Sequence, residues 1–236
     1  MMQHLKSEVR KTYFSYIPKS GVESLILLVM REDGNMSKDI WQYNPQYHCV
    51  GHVPVDYEYI CICRNPYNRL VSGFIDKFLT GNFNLLPFCN EVMSFYNRTL
   101  DDERRVSFSE FIEYLILQDP EKIDPHFSLQ ICSVDVLRRP EIYKLEEIES
   151  INLKLKYLGF KNSFENYRKI YLYEWQKENI SDTHNLYFKD YDIFLTKNVD
   201  GNHGIIPHYD NFYNDELKEK IHEFYKKDFE FFSYEK

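Results

Sequence analysis

The chain has 236 residues and a formal net charge of −8. That acidic balance argues against a general nucleic-acid binder, which carries a basic face, and against an enzyme that grips long polyanions over a wide surface. The length fits one domain over residues 1–236 with a single substantial core, and 20 Tyr with 18 Phe place it among folded rather than disordered chains.

In chain order, "TYFSYI" (12–17) is a β-branched and aromatic run stopped by Pro18, which predicts a buried strand. "ESLILLVMRED" (23–33) predicts a helix ending at Gly34-Asn35, and 35–57 predicts loop with some short structure. "YEYICICR" (57–64) is a second strand. "NPYNRLVSGFIDKFLT" (65–80) then reads as a helix with Asn65 as cap and Pro66 in its first position. Residues 86–97 and 107–118 predict two more helices, the second capped by Ser107 or Ser109. "EIYKL" (141–145) is a third strand leading into the helix "EEIESINLKLKYLGF". In the tail, Leu217, Ile221, Phe224, Tyr225 and Phe229 recur at helical spacing. Strands alternating with helices predict an α/β fold of three layers with a central mostly parallel sheet flanked by helices.

Cysteines at 49, 61, 63, 89 and 132 form no C-x-x-C pair. Cys61 and Cys63, two apart in a strand, point to one face and read as buried thiols of a reducing compartment. No apolar run reaches the roughly 18 residues of a membrane span, and the first residues carry no secretory core. A cytoplasmic protein without stable membrane insertion is expected.

The stretch "IPKSGVES" carries the first chemical signal. A strand-to-helix turn aims backbone N–H groups at one spot, where the helix dipole favours an anion. Lys19 adds a positive charge, Gly21 removes a Cβ, and Ser20 and Ser24 offer hydroxyls. The two-glycine loop ending in Gly-Lys-Ser/Thr of nucleoside triphosphate enzymes is absent. "CICRNPYNRLVSGF" sets Arg64 at the end of a strand and Ser72 two turns into the next helix, a pairing suited to a second phosphate.

Together these segments resemble the sulfotransferases that use 3′-phosphoadenosine 5′-phosphosulfate (PAPS), specifically the group acting on carbohydrates, which implies a P-loop-like three-layer fold. "IPKSGVESL" is similar to that family's 5′-phosphosulfate loop and "RNPYNRLVSGFIDKF" to its 3′-phosphate segment. "DPHFSLQ" (124–130), "IYKLEEIESINLKLKYLGF" and "YKKDFEFFSY" resemble further segments of the family, in the same order. The resemblance implies that Lys19, Ser20, Gly21 and Ser24 bind the 5′ side of PAPS, with Lys19 also stabilising the leaving oxygen. It implies that Arg64 and Ser72 hold the 3′-phosphate and that PAPS leaves as 3′,5′-adenosine bisphosphate, without a metal. Val22 and Glu23 depart from the small or hydroxyl residues usual there; Glu23 is either an early-helix acid pointing away or a charge that weakens donor binding.

Sulfuryl transfer needs a base for the acceptor hydroxyl, and histidine is the best-matched side chain near neutral pH. His52, in "VGHVPVDYEYICICR", is the chosen base, similar in position to the catalytic histidine of related sulfotransferases; His48, four residues earlier, is its rival. His126 is expected to shape the acceptor pocket together with His48. His203 and His208 lie in a predicted loop over the nucleotide, and His4, His184 and His222 read as surface residues. The tyrosine-rich stretch 166–176 reads as core rather than a sugar platform. The expected activity is sulfuryl transfer from PAPS to a hydroxyl of a carbohydrate or glycolipid; the acceptor is a small molecule or oligosaccharide, with no nucleic-acid partner. A nucleotide kinase-like phosphotransferase, or a non-catalytic nucleotide-binding relative, are the alternatives. Oligomeric state is not legible in the sequence.

Overall fold

The computed structural model describes residues 3–34, 48–79, 87–99, 106–164, 180–181, 206–207 and 209–236. In chain order the elements are β1 (Gln3–Ser7), β2 (Thr12–Ser15), α1 (Val22–Glu32), β3 (His48–Val50), β4 (Glu58–Cys63), α2 (Pro66–Phe74), α3 (Pro87–Phe95) and α4 (Phe108–Leu115). There follow β5 (Glu141–Lys144), α5 (Ile148–Tyr157), β6 (Ile180–Ser181), β7 (Ile206–Pro207), α6 (Asp215–Phe224) and α7 (Lys226–Phe232). The chain divides into two compact units, one of residues 1–65, 129–172 and 227–235 and the other of 66–128, 173–226 and 236.

The first unit is built on a five-stranded sheet of order β3-β1-β2-β4-β5. The three strands predicted from sequence, β2, β4 and β5, pair in parallel, with Tyr13 opposite Tyr59 and Cys61 opposite Ile142. β1 and β3 add an antiparallel edge, so the sheet is mixed. These two strands escaped the sequence reading because β1 buries polar residues, His4 and Ser7, beside Leu5, and β3 has only three residues. His4, expected at the surface, is in fact fully buried.

Pleating alternates the side chains of β4 between two layers. Ile60 and Ile62 face α1 and α5, packing with Phe14, Leu25, Leu28, Ile151, Leu155 and Phe164. Cys61 and Cys63 share the opposite face, as predicted, with Ile17, Val134 and Phe232 of α7. The result is an α/β arrangement with helices on both faces of the sheet. Burial pushes the Cys63 thiol up to about 12, the value also reached by Cys89 in the second unit, so both stay protonated and unreactive.

The second unit gathers aromatic side chains: the rings of Phe74, Phe108, Phe111, Phe127 and Phe78 pack with centroids 5.1–6.5 Å apart, within the range of favourable aromatic pairs. Here α4 opens with the predicted Ser107 cap, whose hydroxyl accepts from the Glu110 N–H while the Glu110 carboxylate accepts from the Ser107 N–H. Two predicted helices are shorter than expected. The 65–80 helix is α-helical only to Phe74 and continues as a π-helical turn over Ile75–Leu79. The tail is two helices, broken at Tyr225, whose hydroxyl donates to the Phe127 carbonyl at 2.6 Å. The stretch 166–176 and residues His184, His203 and His208 lie outside the described residues.

Candidate active site

In the first unit β2 and β4 run side by side, so their carboxyl ends deliver the 16–21 loop and Arg64 to one edge of the sheet. Lys19 and Gly21 both have left-handed backbones, at φ 67° and 80°. For a lysine this conformation costs on the order of 1 kcal/mol, and strained positions of this kind concentrate at functional sites. Gly21 is required twice over. A Cβ there would meet the Phe164 ring at 2.6 Å and Leu145 at 3.1 Å, so the obstacle its absence avoids is the core beneath the loop. Gly21 also stands at the N-cap of α1 without a capping side chain, and the helix opens with its N-terminal dipole toward the loop.

Gln130, fully buried, holds this corner together. Its Oε1 accepts from the Ser20 hydroxyl at 3.1 Å and from the Arg64 N–H at 3.0 Å, and its Nε2 donates to the Arg64 carbonyl at 2.8 Å. Arg64 closes the ring by donating from Nη1 to the Lys19 carbonyl at 3.0 Å. Gln130 is positioned in turn by Asp228, whose carboxylate accepts from the N–H groups of Gln130 and Ile131 at 2.8 and 3.0 Å. Ser20, expected to donate to a phosphate, thus donates its hydroxyl hydrogen to Gln130. Glu23 lies in the first turn of α1, and its charge is felt by Tyr16, whose hydroxyl is raised first by burial and then by that carboxylate.

β3 runs antiparallel to β1, and β1 antiparallel to β2, so β3 points the same way as β2 and ends at the same sheet edge. His52 follows two residues later. Its side chain is 66% exposed, while Nδ1 lies 3.0 Å from Oδ2 of Asp135, which is 1% exposed. The same Oδ2 accepts from the Val53 N–H at 3.1 Å. Burial alone would raise the Asp135 carboxyl; the Val53 and His52 hydrogen bonds and the nearby His52 and His4 more than offset it, leaving Asp135 below the usual carboxylate range. His48 contributes to β3, paired with Leu5.

Ser72 and His126 belong to the second unit. Ser72 is half-buried on α2. Three residues earlier on that helix Arg69, 2% exposed, donates to the carbonyls of Ser128 and Pro125 at 2.8 Å each. Arg69 therefore clamps the 124–128 segment against α2, and Gly73 lets the Phe127 ring approach: a Cβ there would sit 2.8 Å from it. In that segment the His126 Nδ1 is 2.7 Å from Oδ1 of Asp124, which also accepts the His126 N–H.

Chemically, the first unit offers a positively charged turn at a helix N-terminus and an exposed imidazole backed by a carboxylate. Among the described residues no group of three or more His, Cys, Asp or Glu is placed to hold a metal ion, and no helix is long and apolar enough to cross a membrane. Gln130, Asp228 and Asp135 were not singled out from the sequence. Gln130 and Asp228 stand in the family-like segments "DPHFSLQ" and "YKKDFEFFSY", so their presence there was the available signal. Asp135, in "SVDVL", offered none. A model described as "Sulfotransferase family" matches residues 7–235. No curated protein and no solved structure matches the chain.

Proposed function

The chain belongs to the sulfotransferase family, and from that premise we propose that it is a single-domain enzyme moving the sulfuryl group of PAPS to a hydroxyl of a carbohydrate or glycolipid. The observation that carries the reading is the Lys19–Gly21 turn, held in a left-handed conformation at the start of α1 and tied through Gln130 to Arg64. A short turn with one lysine suits a donor with no β,γ-phosphate and no Mg²⁺ to bind. In this reading Lys19, Gly21 and Ser24 hold the 5′ side, with Ser20 setting the shape of the loop through Gln130. By resemblance to the family, Arg64 and Ser72 are assigned to the 3′-phosphate and His126 and His48 to the acceptor.

The reaction is an in-line displacement. The acceptor oxygen forms a bond to sulfur as the bond from sulfur to the bridging oxygen of the donor breaks, and 3′,5′-adenosine bisphosphate leaves. His52 takes the acceptor proton at Nε2, and the Lys19 ammonium stabilises the charge growing on the bridging oxygen. The acidic chain favours a neutral acceptor over a heparin-like one.

Calorimetric titration with 3′,5′-adenosine bisphosphate and, separately, with ADP tests the donor assignment, because the two ligands differ mainly in where one phosphate sits. Preference for the bisphosphate, lost in Arg64→Ala, is expected. Equal affinity for the two would remove the 3′-phosphate assignment, and no binding to either would make the chain a relative whose donor loop Glu23 has disabled.

A further inference from the structure

We propose that Asp135 is a positioning residue for His52, fixing the hydrogen on Nδ1 so that Nε2 is the bare nitrogen presented to the acceptor; this rests on the reading of His52 as the base. A carboxylate only accepts hydrogen bonds, so the 3.0 Å contact between Oδ2 and Nδ1 requires the hydrogen on Nδ1. The neutral ring then has its lone pair on Nε2, the form a general base needs.

The anchoring of Asp135 argues against a casual surface contact. Its Oδ2 holds both the His52 ring and the N–H of the next residue, Val53, so ring and backbone are fixed from one atom. Its own N–H donates to the Tyr59 hydroxyl at 2.9 Å, and that hydroxyl shares a second hydrogen bond with Ser15 at 2.7 Å. Ser15 lies on β2 and Tyr59 on β4, the strands that lead to Lys19 and Arg64. Asp135 thus hangs from the same two strands as the phosphate-type loop, which gives the imidazole a fixed relation to it.

The titratable groups facing Asp135 are His52 from the loop, His4 from β1 and Tyr59 from β4. His4 donates from Nε2 to the Gly51 carbonyl at 2.9 Å, so its buried Nδ1, like the buried Oδ1 of Asp135, has no hydrogen-bond partner. Two acceptors cannot satisfy each other. Among the described residues, His52 is the one side chain that donates to the carboxylate, and the other bond comes from the Val53 backbone.

The test uses the full chain labelled with ¹⁵N-histidine, in wild type and in Asp135→Ala, which takes away the oxygen that accepts from Nδ1. In wild type with the ring neutral, the His52 nitrogens are expected to report hydrogen on Nδ1 and a bare Nε2. In Asp135→Ala the Nδ1 hydrogen has lost its acceptor, and the hydrogen is expected to redistribute toward Nε2. Mixed tautomers in wild type, or no change in the variant, overturn the proposal.

A kinetic arm uses ³⁵S-labelled PAPS and a panel of neutral oligosaccharides. Asp135→Ala is expected to lower kcat by about 10²-fold or more, with KM for PAPS unchanged, and to cost nothing further in a His52→Ala background. An equal loss in that background marks Asp135 as a loop staple and sinks the proposal. Full turnover by His52→Ala instead removes His52 as the base while leaving the tautomer result standing, so the two failures are distinguishable.

Discussion

Replacing Gln130 by leucine removes three hydrogen bonds at once: one from Ser20 at 3.1 Å and two with the Arg64 backbone at 3.0 and 2.8 Å. A net value of about 1 kcal/mol for each gives a loss of about 3 kcal/mol, and the fully buried site leaves the Arg64 N–H and carbonyl without a replacement from the leucine. In a chain of 236 residues this lowers Tm by about 6–12 °C. Ser20→Ala removes only one of the three and is expected to cost about 1 kcal/mol, or about 2–4 °C. The two variants should also rank in function. With its tie to Arg64 gone, the loop no longer holds one shape, so Gln130→Leu is expected to weaken 3′,5′-adenosine bisphosphate by about tenfold, and Ser20→Ala by less. Differential scanning calorimetry and ligand titration on the same preparations measure both. A Gln130→Leu protein that melts within 2 °C of wild type, or binds the bisphosphate unchanged, would refute the view that this glutamine holds the corner together.

Gly21→Ala combines a left-handed φ of 80° with a Cβ 2.6 Å from the Phe164 ring; a loss of about 2–4 kcal/mol in chemical denaturation is expected, and Phe164→Leu in the same chain should recover part of it. Glu23→Ser takes a negative charge from the first turn of α1 and is expected to tighten 3′,5′-adenosine bisphosphate by about 2- to 5-fold at low salt, an effect that shrinks as salt is added. Ser107→Ala breaks the reciprocal cap with Glu110 and should cost about 1 kcal/mol of stability while leaving bisphosphate affinity unchanged. His4 has its folded pKa lowered, by burial first. Its contribution to stability is complete above the ordinary histidine value of about 6.5 and is lost as pH falls through the lower folded value. Tm should therefore begin to fall below pH 6.5, and His4→Asn should flatten that part of the curve.

The sequence alone determined the three central strands: β2 and β4 are buried β-branched and aromatic runs, and β5 was legible from the short Ile-Tyr stretch ahead of a helix. It also narrowed the cap of α4 to Ser107 or Ser109, of which the structure uses Ser107, and gave the helix after Arg64, since caps and Pro66 act through neighbours in the chain. The chemical character of the 18–24 turn was legible for the same reason: a lysine, a glycine and hydroxyls between a strand and a helix are local facts. What tertiary structure decided was which polar groups meet. β1 buries His4 and Ser7, so no hydrophobic pattern announces it, and pairing with β2 and β3 makes it a strand. Ser20 and Gln130 are 110 residues apart, His52 and Asp135 83 apart. No periodicity couples residues at such separations; they meet because the 130–135 segment ahead of β5 is tied to β4 and its end, Gln130 to Arg64 and Asp135 to Tyr59. Gly21 shows both levels in one residue: its presence in a turn follows from the sequence, but the Phe164 ring that leaves no room for a side chain there belongs to the folded core.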